Sequence, residues 1–257
     1  MSALIVIPAR MASTRFPNKP MAQIAGKTMI ERVWAIGKAV SSASDVIIAT
    51  DDPGLFDFAR RFGARACMTS PDCPTGTDRV AEVVAKFPDH SIFFSLQGDA
   101  VLTPPWAIEE VLRVMLNEPS VQIATPAVRL QGEALAHFVK AKQRGSSSGT
   151  TVVFDCHNNA LYFSKALIPY VREPLNQTIF RHIGLYAYRA KTLRLLRTLP
   201  EGLLEKCEKL EQLRALENGI PIRVVEVDYR GRTHGSVDVP EDVGLVESII
   251  AKEGELV

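Results

Sequence analysis

The sequence predicts an α/β protein, a mainly parallel sheet flanked by helices, with a small antiparallel lobe in its second half. Three observations predict it. Short apolar runs of strand length alternate with amphipathic helical stretches over residues 1–128, the pattern of βαβ units whose sheet is covered on both faces. After a Gly/Ser-rich stretch at 145–149 that rhythm gives way to closely spaced β-rich runs. The 257 residues, 46% hydrophobic and 23% charged, suit one large or two small domains and allow a sizeable core.

In chain order, Leu4 to Ile7 is a short apolar run closed by Pro8 and reads as a buried strand. A cationic loop follows, Ala25-Gly26-Lys27 makes a turn, and residues 29–40 carry Met29, Ile30, Val33, Trp34 and Ile36 at helical spacing. A second buried strand is expected at 45–50, and Asp51-Asp52-Pro53 caps a helix running to about Phe62. Ala64 to Met68 suits a third short strand. A loop with two prolines then leads into a helix from about Asp78, with Thr77 as its candidate N-cap. Residues 91–99 read as a strand ending in Gln97-Gly98-Asp99, 106–116 as a helix and 121–128 as a strand.

Beyond the Gly/Ser stretch, Thr150 to Phe154 and Ala160 to Phe163 are β-rich and, with the proline-bounded IPYVREP, form the expected inserted lobe. Phe180 to Tyr188 reads as a strand carrying Arg181 and His182. Lys191 to Leu199 suits a helix, and 207–219 suits another, closed by Asn218-Gly219, with Leu210, Leu213 and Leu216 facing the core and Glu211 and Gln212 beside them. Ile222 to Val227 is a strand, and Asp238 is expected between a short strand and the last helix. There is no internal repeat.

Composition excludes several classes of function. A net charge of +1 supplies no field to draw in nucleic acid, so any cationic site must be a local pocket. The apolar N-terminus is too short for a signal peptide, and no apolar run reaches membrane-spanning length. Cys67, Cys73, Cys156 and Cys207 form no CxxC pair, so reduced thiols in a cytoplasmic protein are expected.

The chemistry concentrates in residues 7–20, IPARMASTRFPNKP, where Arg10, Arg15 and Lys19 are interleaved with Ser13 and Thr14. A loop of small residues and long cations after a strand suits an anion, because side chains supply charge and free amides can point at phosphate oxygens. The bland alternative is a solvated turn with ordinary surface charge. The helix start in TGTDR would leave first-turn amides free for an anion, with Arg79 beside them. Asp99 falls at a strand end, where it suits either a catalytic metal or the cap of the next helix. With Asp238 it makes two carboxylates, enough for Mg²⁺, which takes one or two plus phosphate oxygens and water. Together these describe a site for a nucleoside triphosphate with magnesium. No GxxxxGK[ST] or GxGxxG follows the first strand, so neither a P-loop kinase nor a dinucleotide-binding dehydrogenase is supported.

With IAGKTMIERV (24–33), ATDD (49–52), TGTDR (75–79), LQGD (96–99), ALYFSKALIPY (160–170), RHIGLYAYR (181–189), EKLEQLRALENG (208–219) and VDVPED (237–242), this segment makes the whole chain resemble the 3-deoxy-manno-octulosonate cytidylyltransferases, the CMP-Kdo synthetases of lipopolysaccharide biosynthesis. The resemblance implies a nucleotidyltransferase (Rossmann-like) α/β fold whose antiparallel lobe serves dimerisation, a cytoplasmic homodimer, CTP and the 3-deoxy-ulosonic acid Kdo as substrates, and Mg²⁺. It divides a single domain into a nucleotide-binding part at about 1–128, the lobe at about 145–190 and a sugar-acid and metal part at about 191–257. It assigns Arg10, Ser13, Arg15, Lys19, Thr77, Arg79 and Gln97 to CTP, and Asp99 and Asp238 to the metal, with Arg10 and Lys19 acting beside them in catalysis. Arg181, His182, Tyr186, Glu211 and Gln212 fall to the sugar acid; without the resemblance His182 reads as a hydrogen-bonded core histidine.

The chain departs from the family at three points. The usual QGDEP reads Gln97-Gly98-Asp99-Ala100-Val101, the usual lysine before the valine pair is Thr151, and the usual histidine before the TGTDR segment is Cys73. These leave the sugar open between Kdo and a related acid such as 8-amino-Kdo or a sialic-type nonulosonate. A second reading is a nucleotide-binding paralogue without transferase activity, against which the intact pair Asp99 and Asp238 argues.

Overall fold

Strand β1, Ala3–Ala9, is buried at every position and sends alternate side chains into two cores. Ile5 and Ile7 pack on one face and Leu4 and Val6 on the other, each fully buried aliphatic stabilising by about 1.5–3 kcal/mol. The computed structural model describes residues 2–13, 15–172 and 178–257. Thr14 and the last residues of the proline-bounded stretch 168–174 lie outside the described residues. The strand does not stop at Pro8: Pro8 and Ala9 still register with Ala49 and Thr50 of strand β4, Asp45–Thr50.

After the one-turn 3₁₀ helix Lys19–Met21 comes a miniature hairpin, β2 (Gln23–Ile24) and β3 (Lys27–Thr28), turned by Ala25 and Gly26, both at positive φ. Thr28 caps α1, Met29–Lys38, in a reciprocal capping box with Glu31. Asp52 caps α2, Pro53–Arg61, by accepting from the Leu55 amide at 2.8 Å. Strand β5 is Arg65–Met68, α3 Gly76–Lys86, β6 Ile92–Ser95, α4 Pro105–Asn117 and β7 Ile123–Leu130. Then follow α5 (Gly132–Gln143), β8 (Thr150–Phe154), β9 (Ala160–Ser164), β10 (Ile179–His182), β11 (Tyr186–Arg189), α6 (Ala190–Thr198), α7 (Leu203–Glu208), α8 (Leu213–Glu217), β12 (Ile222–Glu226) and α9 (Asp242–Glu253).

The sheet runs β5-β4-β1-β6-β11-β7-β10-β8-β9, with β12 parallel to β7 on its other edge. Its first wing, β5-β4-β1-β6, is parallel, and β8, β9 and β10 continue the same sheet antiparallel. Helices α1, α2, α4 and α9 cover one face around one core, and α3, α6 and α8 the other. A small third cluster, Leu130, Phe138 and Ile179, lies under α5.

Three expectations need correction. The strand expected from Phe180 to Tyr188 is two strands, because the Leu185 amide turns back on the Ile183 carbonyl at 2.6 Å and the Thr125 hydroxyl donates to the Leu185 carbonyl at 2.7 Å. The helix expected at 207–219 is broken into α7 and α8 at Lys209, whose φ of 54° is left-handed. Asp238 follows an irregular stretch, not a short strand. Among the described residues no helix is long and apolar enough to cross a membrane.

Candidate active site

Strands β1, β4 and β6 run parallel and end at one edge of the sheet, where a cleft of about 860 Å³ opens. Its walls are the loop after β1, the start of α3, the Gln97–Asp99 turn after β6, and Asp238. Gly98 lets two walls meet: a Cβ there would stand 3.0 Å from the Pro8 carbonyl oxygen, a backbone atom that cannot swing aside. The cleft thereby gathers Arg10, Ser13, Arg15, Lys19, Arg79, Gln97, Asp99 and Asp238 from distant parts of the chain.

Two carboxylates share one ammonium. Lys19 Nζ donates to Asp99 Oδ2 at 2.6 Å and stands 3.9 Å from Asp238 Oδ1, which Arg15 also approaches at 3.9 Å. Asp238 is aimed from behind by Asp242 at the start of α9, whose Oδ2 accepts from the amides of Asp238 (2.7 Å) and Val239 (3.0 Å). Asp99 and Asp238 thus present oxygens to a single cation. That donor set fits Mg²⁺, which takes few protein carboxylates and completes its shell with phosphate oxygens and water. Among the described residues no group of three or more His, Cys, Asp or Glu forms, so the cleft offers no closed protein cage.

Helix α3 starts earlier than the sequence suggests. Its N-cap is Thr75, not Thr77: the Thr75 hydroxyl accepts from the Asp78 amide at 3.1 Å. First-turn amides have no acceptor inside a helix, so those of Gly76 and Thr77 remain for an anion. Arg79, expected on the nucleotide, is 3% exposed with its guanidinium against Asp51 (3.2 Å) and Thr69, bracing the loop after β4 against α3. Cys73 lines the cleft with its thiol against Glu82 Oε2 at 3.3 Å; burial and that bond push the thiol up to about 11, so it stays protonated.

Beside the cleft, across α3, lies a second, narrow pocket lined by Thr77, Tyr186, Glu211 and Gln212 among others. Glu211 ties the two spaces together, its Oε2 accepting from Thr77 at 2.6 Å and its Oε1 from Thr75 at 2.8 Å. The Thr75 hydroxyl also meets Asp78 Oδ2 at 2.7 Å, and its single proton can serve only one of these carboxylates. Gln212 Nε2 is buried without a partner and Tyr186 is held protonated by burial, then by Tyr188 and Glu211, so both are donors.

His182 packs at a tilt against Tyr186, with ring centroids 5.5 Å apart and an interplanar angle of 47°. Burial, with Lys165 and His234 adding to it, pulls His182 down to about 3, so the ring is neutral. Its Nε2 lies 2.8 Å from Thr125 Oγ1. With the Thr125 proton spent on the Leu185 carbonyl, Nε2 must be the N–H and Nδ1 the free acceptor. Arg181 is on the opposite face of the sheet, because adjacent strand residues point to opposite sides. It lies over Phe138 at 5.9 Å, so four of the five expected sugar-acid residues share a face and Arg181 does not.

The departures have local explanations. Ala100 and Val101 are 7% and 3% exposed and belong to the core beneath the cleft, where a carboxylate would meet apolar neighbours. The Thr151 hydroxyl is spent on the Ala166 carbonyl at 2.7 Å. Thr125, Gly98 and Asp242 also shape the site, in addition to the residues to which the sequence points. A threonine inside an apolar strand and a glycine just before a strand-end aspartate are the signals that point to the first two.

Residues 4–224 match the cytidylyltransferase family. The chain is 52% identical to a 3-deoxy-manno-octulosonate cytidylyltransferase of Maricaulis maris (strain MCS10) over the full length of both. It is 44% identical to one of Myxococcus xanthus (strain DK1622), over 97% of this chain and 96% of that one. A solved structure of a CMP:2-keto-3-deoxy-manno-octonic acid synthetase complexed with CTP is similar with a TM-score of 0.89 at 36% identity, covering 98% of this chain and 100% of that chain.

Proposed function

Because the chain belongs to the 3-deoxy-manno-octulosonate cytidylyltransferase family, we propose that it couples CTP to Kdo, giving CMP-Kdo and pyrophosphate for lipopolysaccharide biosynthesis. The observation that carries the reading is the juxtaposition of two spaces. One is a cleft of cations and two carboxylates, the other a cavity lined by the donors Tyr186, Gln212 and Arg214 with one carboxylate, Glu211, which joins the two.

In this reading Arg10, Ser13, Arg15 and Lys19 hold the triphosphate together with the first turn of α3, and Gln97 meets the nucleoside. Asp99 and Asp238 would hold Mg²⁺, which would supply charge neutralisation for the phosphates. Tyr186, Glu211, Gln212 and the Nδ1 of His182 bind the hydroxyl-rich sugar acid. Its anomeric oxygen forms the new bond to the α-phosphorus as the bond to the β-phosphate oxygen breaks, and pyrophosphate carries the electrons away. Asp238 orients that hydroxyl and accepts its proton. Positioning and charge neutralisation account for most of the acceleration in such chemistry.

The same reading has the protein acting in the cytoplasm as a homodimer. Leu161 on the outermost strand β9 and Tyr170 after it are 63% and 88% exposed, which supports pairing through that end of the sheet.

Pyrophosphate release from the purified protein with CTP and Mg²⁺, comparing Kdo, 8-amino-Kdo and N-acetylneuraminate, tests the assignment. Release with Kdo is expected, and its loss in Asp99→Asn with the fold intact. Release with another acid alone would move the substrate, and silence with all three would overturn the reading.

A further inference from the structure

Lys19 is more than one of three cations on the loop after β1. Its backbone is fixed: Asn18 before it is left-handed at φ 55°, Pro20 after it is buried, and the Met21 amide closes the turn on the Asn18 carbonyl at 2.9 Å. From that anchored Cα a four-carbon stem carries the ammonium to 2.6 Å from Asp99 Oδ2 and 3.9 Å from Asp238 Oδ1, the place where a cation serving both carboxylates would stand. The pair is also sheltered. The Lys19 and Asp99 side chains are 17% and 27% exposed, whereas Arg15, which approaches the more open Asp238, is 73% exposed. Water therefore screens the Lys19–Asp99 contact less than the Arg15–Asp238 one.

We propose that Lys19 is a built-in counter-ion for Asp99 that excludes a divalent cation until a triphosphate enters the cleft and draws the ammonium away. The proposal rests on the nucleotide-and-metal reading above and adds an order of events to it. Lysine suits the exchange because its charge sits on a flexible stem with rotatable donors, so one anchored residue can serve a carboxylate and then a phosphate. A polyanion offers the ammonium several oxygens in place of one, and the vacated carboxylate is then left facing a cation it can bind. Without nucleotide, an arriving divalent ion has to break a short, half-buried ion pair, so its affinity for the free protein is weak.

The test needs no turnover. Mn²⁺ alone is titrated into the nucleotide-free protein, and free Mn²⁺ is read by electron paramagnetic resonance. Lys19→Met is expected to bind Mn²⁺ roughly ten-fold tighter than the wild type, because the resident competitor is gone. Arg15→Met removes the same formal charge near the other carboxylate and is expected to change affinity by less than about three-fold, which separates displacement from a general change of field. Lys19→Gln serves as the second variant should Lys19→Met not fold. Equal Mn²⁺ affinity in the wild type and the Lys19 variant, or equal gains in the Lys19 and Arg15 variants, would overturn the proposal. Adding Asp99→Asn to Lys19→Met is expected to abolish the gain; a gain that survives it would instead remove Asp99 from the metal site and sink the reading on which the proposal rests.

Discussion

Removing Arg79 would strand Asp51, since the two face each other at 3.2 Å with the arginine buried and the aspartate mostly so. An Arg79→Met variant is expected to lose roughly 2–3 kcal/mol, less than a fully buried pair because Asp51 keeps some contact with water. The midpoint of urea unfolding reads this directly. Histidine sets the pH response. His182 is held near 3 by burial, Lys165 and His234, and His234 near 3 by burial and Arg181, against about 6.5 in an unfolded chain. Below pH 6.5 the unfolded chain therefore takes up protons that the folded one refuses. Stability is full above that value and declines toward pH 3 by up to about 1.4 kcal/mol per pH unit for each histidine. Urea midpoints at pH 7.5, 6 and 5 should show the decline, and His234→Phe should roughly halve its slope, leaving the part due to His182. Arg10, Ser13, Lys19 and Asp99 could be picked out from residue type and their places after strands, and Asp238 from residue type although no strand precedes it, and all five share one cleft. The burial of Arg79 could not, because its partner Asp51 sits in a different βα unit and the packing of α3 against β1 and β4 brings them together.

At the scale of elements, the start of α3 matters most. Thr75 caps the helix and also holds Glu211, so it fixes both the anion-facing amides and the wall shared with the second cavity. Thr75→Ala is expected to cost about 1 kcal/mol in thermal or chemical unfolding, with Thr75→Ser restoring most of it, since serine keeps the oxygen. The alternation of apolar runs and helical stretches made strands β1, β4, β6 and β12 and helices α1 to α4 legible, because burial on both faces or one leaves a period in the sequence. Breaks leave none. Cys207, Leu210 and Leu213 keep a three-residue spacing straight across Lys209, and nothing local to residues 180–188 reveals that Thr125, on another strand, takes the carbonyl that interrupts them.

At the scale of the molecule, pairing through β9 is testable by sedimentation. The wild type is expected to run as a dimer and Leu161→Asp/Tyr170→Asp as a folded monomer, because an exposed edge with large apolar side chains is a docking surface that charge abolishes. The fold class was legible from rhythm alone, but the continuity of the antiparallel run with the main sheet was not, since it depends on which strand each run chooses as neighbour. That choice has a consequence during synthesis. Strand β11 lies between β6 and β7, and β12 closes the other edge of β7. A nascent chain that has made β7 but not yet residues 186–189 carries two strands with a missing plank between them, and the far side of β7 stays open until 222–226 emerge. The ribosome thus holds an unfinished sheet with bare edges for the time it takes to translate about a hundred residues, a window in which edge-to-edge misassembly has its best opportunity.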